Sequence, residues 1–141
     1  MKKTIEYYSE TGLEITKAHD DDAGFDLRTP VPFILPSHSY WVVDTGIHVD
    51  IPKGYAGLIV SKSGLNVKHS IMSTGLIDSG YTGSIVVKLY NFGMDDYEFG
   101  EGDKISQLMI LPIFRGNSKK IKMINRNTSR GANGFGSSGR K

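Results

Sequence analysis

From Tyr40 to Ile51 the chain alternates with a period of two. Trp41, Val43, Thr45, Ile47, Val49 and Ile51 fall on one face, and Asp44, Gly46, His48 and Asp50 fall on the other. Successive side chains of a strand point to opposite faces of its sheet, so this pattern specifies a half-buried strand. No stretch of ten or more residues carries the 3.6-residue apolar period of a helix. The core must therefore be built from sheets.

The remaining apolar runs agree. Thr4–Tyr8, Tyr55–Val60, Ile71–Ile77 and Ser84–Asn91 read as strands, Ile15 as part of a second short one, and Ile121–Ile124 as the last. Phe33-Ile34-Leu35, between two prolines, is too short for a helix. Lys104–Phe114 is apolar on both sides of the alternation, as in a strand buried on both faces, and Pro112 argues against a helix there. Only Ser61–His69 suits a helical turn. Many short strands punctuated by Gly and Pro specify an all-β sandwich or barrel. A chain of 141 residues is long enough for one domain with its own core. From Asn125 to Lys141 apolar residues are too few to fold alone. Residues 1–124 are thus expected as the β domain and 125–141 as a flexible C-terminal arm.

Composition excludes several function classes. The net charge of +2 is small, and the basic residues are scattered apart from Lys119, Lys120, Lys122 and the end of the tail, so no nucleic-acid partner is expected. The absence of cysteine removes disulfides, thiolate catalysis and Cys-type zinc sites. No apolar run approaches the ~20 residues of a membrane span. The first residues lack a signal-peptide apolar region. A protein of the cell interior is expected.

Five stretches could carry chemistry. Gly75-Leu76-Ile77-Asp78-Ser79-Gly80-Tyr81-Thr82-Gly83 sets one acid and one hydroxylated aromatic between glycines, which suits a pocket that activates water beside a flat or sugar-like ligand. Read alone, it serves equally as a hairpin turn with a polar tip. Ser61-Lys62-Ser63-Gly64-Leu65 can offer N–H groups, a hydroxyl and a charge to an anion, or can be a plain Ser-capped turn. Gln107, inside an apolar run, must find a partner or face a site. Arg130 to Gly139 combines Arg, Ser and Gly suited to phosphate with one aromatic, Phe135, on which a base could stack. It lacks the Gly-Lys-Ser/Thr ending of a P-loop, and by composition it could be a solvated tail. Asp20-Asp21-Asp22 reads as a solvated turn. His19, His38, His48 and His69 have no metal-ligand spacing, and no serine sits in a nucleophile elbow.

In order and spacing these stretches, with Ala23-Gly24-Phe25-Asp26-Leu27 as the first and Gly102-Asp103-Lys104-Ile105-Ser106-Gln107-Leu108 as the fourth, resemble the five motifs of the homotrimeric dUTPase (deoxyuridine triphosphate nucleotidohydrolase) family. The resemblance covers residues 23 to 139. It implies a distorted jelly-roll β-sandwich, at most one short helix, and a trimer with active sites shared between subunits. It implies hydrolysis of dUTP to dUMP and pyrophosphate, which limits uracil incorporation into DNA and supplies dUMP for thymidylate synthesis. The setting implied is cytoplasmic, or the interior of an infected host cell for a viral protein.

By the same resemblance, Asp78 is the base acting on the attacking water, and Tyr81 packs on the deoxyribose. The hairpin around Gly75, Leu76 and Ile77, with Val86 opposite, reads uracil. Lys62, Ser63, Gly64 and Gln107 meet phosphates. Phe135 stacks on the base, while Arg130, Gly136, Ser137 and Ser138 close over the phosphates. Mg2+ is held mainly by the triphosphate, with Asp26 reaching it through water. Three positions depart from the family pattern: Lys62 for Arg, which loses the bidentate fork, Gly80 for an acidic or amide residue, and Ser138 for Thr. The alternatives are a dCTP deaminase of the same fold and a dUTPase-like trimer acting as a nucleotide-dependent regulator of a protein partner.

Overall fold

The computed structural model describes residues 3–141. Its elements are β1 (Glu6–Ser9), β2 (Gly24–Arg28), β3 (Phe33–Leu35), β4 (Tyr40–Asp44), β5 (Ile47–Asp50), β6 (Tyr55–Val60), α1 (Ser63–His69), β7 (Ile71–Ile77), β8 (Val86–Asn91), β9 (Tyr97–Phe99) and β10 (Lys104–Pro112). Every strand pair is antiparallel. Six strands form one curled sheet in the order β2-β10-β6-β7-β8-β4, and β1-β5 and β3-β9 form two small sheets. Among the described residues no helix is long and apolar enough to cross a membrane.

All three sheets share one core. Leu27, Ile105, Leu108, Ile59, Ile71, Val87 and Leu89 from the large sheet meet Ile47 and Val49 of β5 and Leu35 and Phe99 of the β3-β9 pair. Phe33 stacks between Trp41 and Phe99, with ring centroids 5.5 and 4.9 Å away. Burying such side chains contributes about 1.5–3 kcal/mol each before conformational entropy is set against it.

The alternation over Tyr40–Ile51 predicts the inward face at every position but one. Val43, Thr45, Ile47, Val49 and Ile51 are buried, whereas Trp41 is 42% exposed. The single expected strand is two strands in different sheets, parted at Gly46, where φ is +67°. Glycine reaches that left-handed conformation without a Cβ penalty. The stretch around Ile15 contributes only a bridge, Thr16 to Asp26. Ile105 and Ser106 are both buried, as a strand covered on both faces requires, but exposure rises again from Met109. Ile121–Ile124 forms no strand, and its side chains are exposed. The last strand ends at Pro112.

Candidate active site

A cavity opens where two neighbouring strands part. β7 and β8 stay in register only from Ile71–Asn91 to Ser73–Leu89. Beyond that point β7 follows β6 as far as the Gly57–Ile77 pair, and β8 follows β4 as far as Asp44–Val86. The gap between them holds about 240 Å³, lined by Ile59, Gly75, Leu76, Ile77, Asp78, Tyr81, Ser84, Ile85 and Val86. The β7 edge facing the gap has no strand opposite it, so its peptide groups are available to a flat polar ligand. Gly75 keeps the floor low: a Cβ there would already touch Ile59 at 3.4 Å.

The loop from Asp78 to Ile85 is held at both ends. The Tyr81 N–H donates to the Asp78 carbonyl at 3.1 Å, and the Tyr81 hydroxyl donates to the Ser84 carbonyl at 2.8 Å. Gly83 lies under the Tyr81 ring, closely enough that a Cβ would overlap it. On the far side, the Ile85 N–H donates to the Ile47 carbonyl at 2.8 Å, and both the N–H and the hydroxyl of Thr45 donate to the Ile85 carbonyl. The Ser84 hydroxyl bonds the Asp44 carboxylate. That bond first, and the Gly46 N–H second, hold the Asp44 carboxyl below the usual carboxylate range.

Asp78 is exposed at the rim, and Tyr81 is about half exposed. Among the described residues no Lys or Arg lines the cavity. Its volume falls short of the ~300–1,000 Å³ of typical ligand clefts, so it can take only part of a nucleotide. A triphosphate needs cations from elsewhere.

Cations lie at the other end of the same strands. Asp26 on β2 faces Gln107 on β10 and is buried. Lys62 Nζ lies 2.5 Å from its Oδ1, and Lys104 Nζ lies 3.0 Å from its Oδ2. Burial works to raise the Asp26 carboxyl, but the two lysines outweigh it and hold it below the usual range. Gln107 finds its partner in the Ser61 carbonyl at 2.9 Å. Gly24 makes room for it, since a Cβ there would stand 2.9 Å from Gln107 Oε1.

Ser63 and Gly64 open α1 and are exposed. The N-cap residue, Lys62, makes no side-chain capping hydrogen bond. The Ser61 hydroxyl instead bonds the N–H and the carbonyl of Ser73. The leading amides of α1 are thus left to solvent or an anion.

The Asp26 triad carries a stability prediction. Asp26→Asn leaves two ammonium groups without their counter-charge and should cost about 2 kcal/mol in denaturant unfolding at neutral pH. The figure lies below the full cost of a buried charge because both lysines keep solvent contact. A depressed carboxyl stabilises the fold above its unfolded pKa of about 3.9 and loses that contribution as pH falls through the folded value. The difference between wild type and mutant should therefore shrink below pH ~4. A difference that is constant from neutral pH to acid would refute the assignment.

The two clusters are separate within one chain. Ser61 sits at the Ser73 end of β7 and Asp78 lies beyond Ile77, and the five residues from Ser73 to Asp78 span about 17 Å at about 3.3 Å each. Gly75, Leu76, Ile77, Asp78, Tyr81 and Val86 come together as expected, and Lys62, Ser63, Gly64, Gln107 and Asp26 form the second group. The tail joins neither. Arg130 Nε donates to the Asn133 carbonyl, Gly136 has a φ of +90°, and the Phe135 ring is fully exposed. Ser137 and Ser138 are exposed as well. Nothing in the structure explains Gly80, where a Cβ would meet open space.

Sequence reasoning did not single out Ile59, Ser84 and Ile85 in the cavity, or Lys104 on Asp26. Only Lys104 left a trace, as a cation beginning an otherwise apolar run.

Comparison with known proteins accords with this arrangement. A family model for dUTPase matches residues 12–139. The deoxyuridine 5'-triphosphate nucleotidohydrolase of Tropheryma whipplei (strain Twist) is 37% identical over 141 residues, covering 97% of this chain and 96% of that protein. Among solved structures, a point mutant of the Staphylococcus bacteriophage 80alpha dUTPase with dUpNHpp superposes with a TM-score of 0.88 at 27% identity, covering 98% of this chain and 99% of that one. A mutant dUTPase from phage phi11 of S. aureus, described with a structural Mg(II) ion, gives a TM-score of 0.78 at 27% identity and covers 86% and 98%. The chain belongs to the dUTPase family.

Proposed function

We propose that the chain hydrolyses dUTP to dUMP and pyrophosphate at sites completed by neighbouring copies in a homotrimer. The observation that carries this reading is the division of labour within one chain. Among the described residues the β7-β8 gap offers backbone edges, an acid and an aromatic but no cation, while the Lys62–Gln107 group offers phosphate-type donors about 17 Å away along the strand. Uracil and deoxyribose enter the gap between Gly75–Ile77 and Val86, with the sugar against Tyr81. The Asp78 carboxylate accepts a hydrogen bond from a water at the rim and takes its proton as the water oxygen bonds the α-phosphorus. The bond from the α-phosphorus to its bridging oxygen breaks, and pyrophosphate leaves with that electron pair. Ser63, Gly64, Gln107 and Lys62 of a neighbouring copy meet the phosphates. The arm from residue 125 brings Phe135 over the base and Arg130, Gly136, Ser137 and Ser138 onto the phosphates. Because dUTP is a nucleotide of the cell interior, the reading sets the enzyme there.

Magnesium fits as an ion carried by the substrate. The described residues contain no cluster of three or more His, Asp or Glu able to cage a metal. An ion bound mainly through substrate phosphates would need no such protein cage. Asp26 has both oxygens on lysines and would reach such an ion through water. When bound, magnesium offsets charge on the triphosphate. The test is a panel of dUTP, dTTP, UTP and dCTP with separate detection of pyrophosphate and ammonia. Pyrophosphate from dUTP alone is expected, and ammonia from dCTP would overturn the reading.

A further inference from the structure

Two charged side chains touch the Asp78–Ser84 loop from outside the cavity, Asp44 at Ser84 and His48 at Thr82. His48, on β5, presents Nδ1 to the Thr82 carbonyl and Nε2 to Glu10 Oε1, each at 2.8 Å. A carbonyl and a carboxylate only accept, so both ring nitrogens must donate and the ring is an imidazolium. We propose that His48 is a positioning residue, a protonated strap that ties the Asp78–Ser84 loop to the segment after β1 and so fixes Tyr81 for substrate.

The strap grips the loop at a sensitive point. Thr82 lies between Tyr81, whose N–H closes the turn on Asp78, and Gly83, on which the Tyr81 ring rests. Orienting the Thr82 carbonyl sets the peptide beneath that ring. Loop residues 78 and 80–82 are otherwise exposed, and the Asp44 and Thr45 contacts hold only the Ser84–Ile85 side. His48 is thus the tie at the middle of the loop.

Its surroundings favour the charge. Glu10 follows β1, Asp44 ends β4, Tyr8 of β1 packs against the imidazole at 5.8 Å, and Glu6 and Asp50 line the same shallow hollow. The Thr82 carbonyl first, then the Glu10 carboxylate, hold the His48 pKa above its ordinary value. A histidine with a raised pKa holds its proton to higher pH than a free imidazole and loses it as pH climbs through the folded value. The strap is intact in acid and opens on the alkaline side.

The inference rests on the dUTP-hydrolase reading for its kinetic test, while a spectroscopic test stands alone. In a ¹⁵N-labelled sample, the His48 ring should titrate above the ordinary histidine range. The Tyr81, Thr82 and Gly83 amides should move with the same midpoint, and Glu10→Gln should lower it. Loop amides indifferent to the His48 midpoint would overturn the strap, even if dUTP proved not to be the substrate. In kinetics, His48→Gln keeps one neutral link. The substrate's own phosphate titrates near neutrality in both proteins, so the comparison between them is what matters. Wild-type KM for dUTP should rise about tenfold relative to His48→Gln across the midpoint, with kcat little changed. Parallel KM profiles in the two proteins would also overturn it.

Discussion

Asp78→Asn is expected to bind dUTP with near wild-type affinity and to turn it over about 10²–10⁴-fold more slowly, the usual worth of a positioned general base. The substitution is isosteric. It removes the negative charge and the acceptor that would take the water's proton, and nothing else in the cavity can replace them. The other lining residues are apolar or hydroxylic, with Tyr81 already donating its hydroxyl proton to the Ser84 carbonyl. Asp78 is exposed, so the fold should not suffer. Calorimetric titration of the mutant with dUTP, beside a pyrophosphate-release assay, separates binding from chemistry. Turnover within a few-fold of wild type would remove Asp78 as the base. Lost binding with unchanged turnover at saturation would make it a substrate anchor.

The strands were readable because a half-buried sheet imposes its period on the residues that build it. Val43 to Ile51 were assigned to the correct face from alternation alone. Alternation carries no information about partners, however. It could not show that the run changes sheet at Gly46, a choice made by a left-handed backbone and by different neighbours on either side. The same blindness explains Ile121–Ile124, where β-branched residues meet no strand to pair with. It also explains Tyr97–Phe99, a three-residue strand that exists only because β3 lies opposite.

The site divides along the same line. Gly75–Asp78 and Tyr81 are local, so one motif contains them. Ile59, Ser84 and Ile85 enter the cavity because two strands diverge, and Lys104 joins Asp26 because β10 pairs with β2. Such neighbours are set by register, which no single stretch encodes. His48 shows the limit best. Its sequence neighbours give it no metal-ligand spacing, and its partners stand 38 and 34 positions away.

Truncation before Arg130 should leave a folded, assembled protein whose kcat/KM for dUTP falls about 10²–10³-fold. The last strand ends at Pro112, and from residue 113 onward only Gly134 is even partly buried, so the deletion removes no core contact. The melting temperature should therefore hold within a degree or two, since shifts of that size correspond to well under 1 kcal/mol in a domain of this length. Catalysis should respond differently. Stacking of an aromatic on a base is worth about 1–3 kcal/mol, and hydrogen bonds from a charged donor about as much again. Phe135 and Arg130 are the residues that would supply them, and both face solvent in the chain by itself. The β7-β8 cavity remains in the truncated protein, so weak binding of dUMP should survive with little change. Sizing chromatography, thermal unfolding and steady-state kinetics on the same sample distinguish the outcomes. If the truncated chain no longer assembles, the tail joins subunits. If it assembles with full activity, Phe135 and Arg130 take no part, and the phosphates must be held by the Lys62–Gln107 group alone.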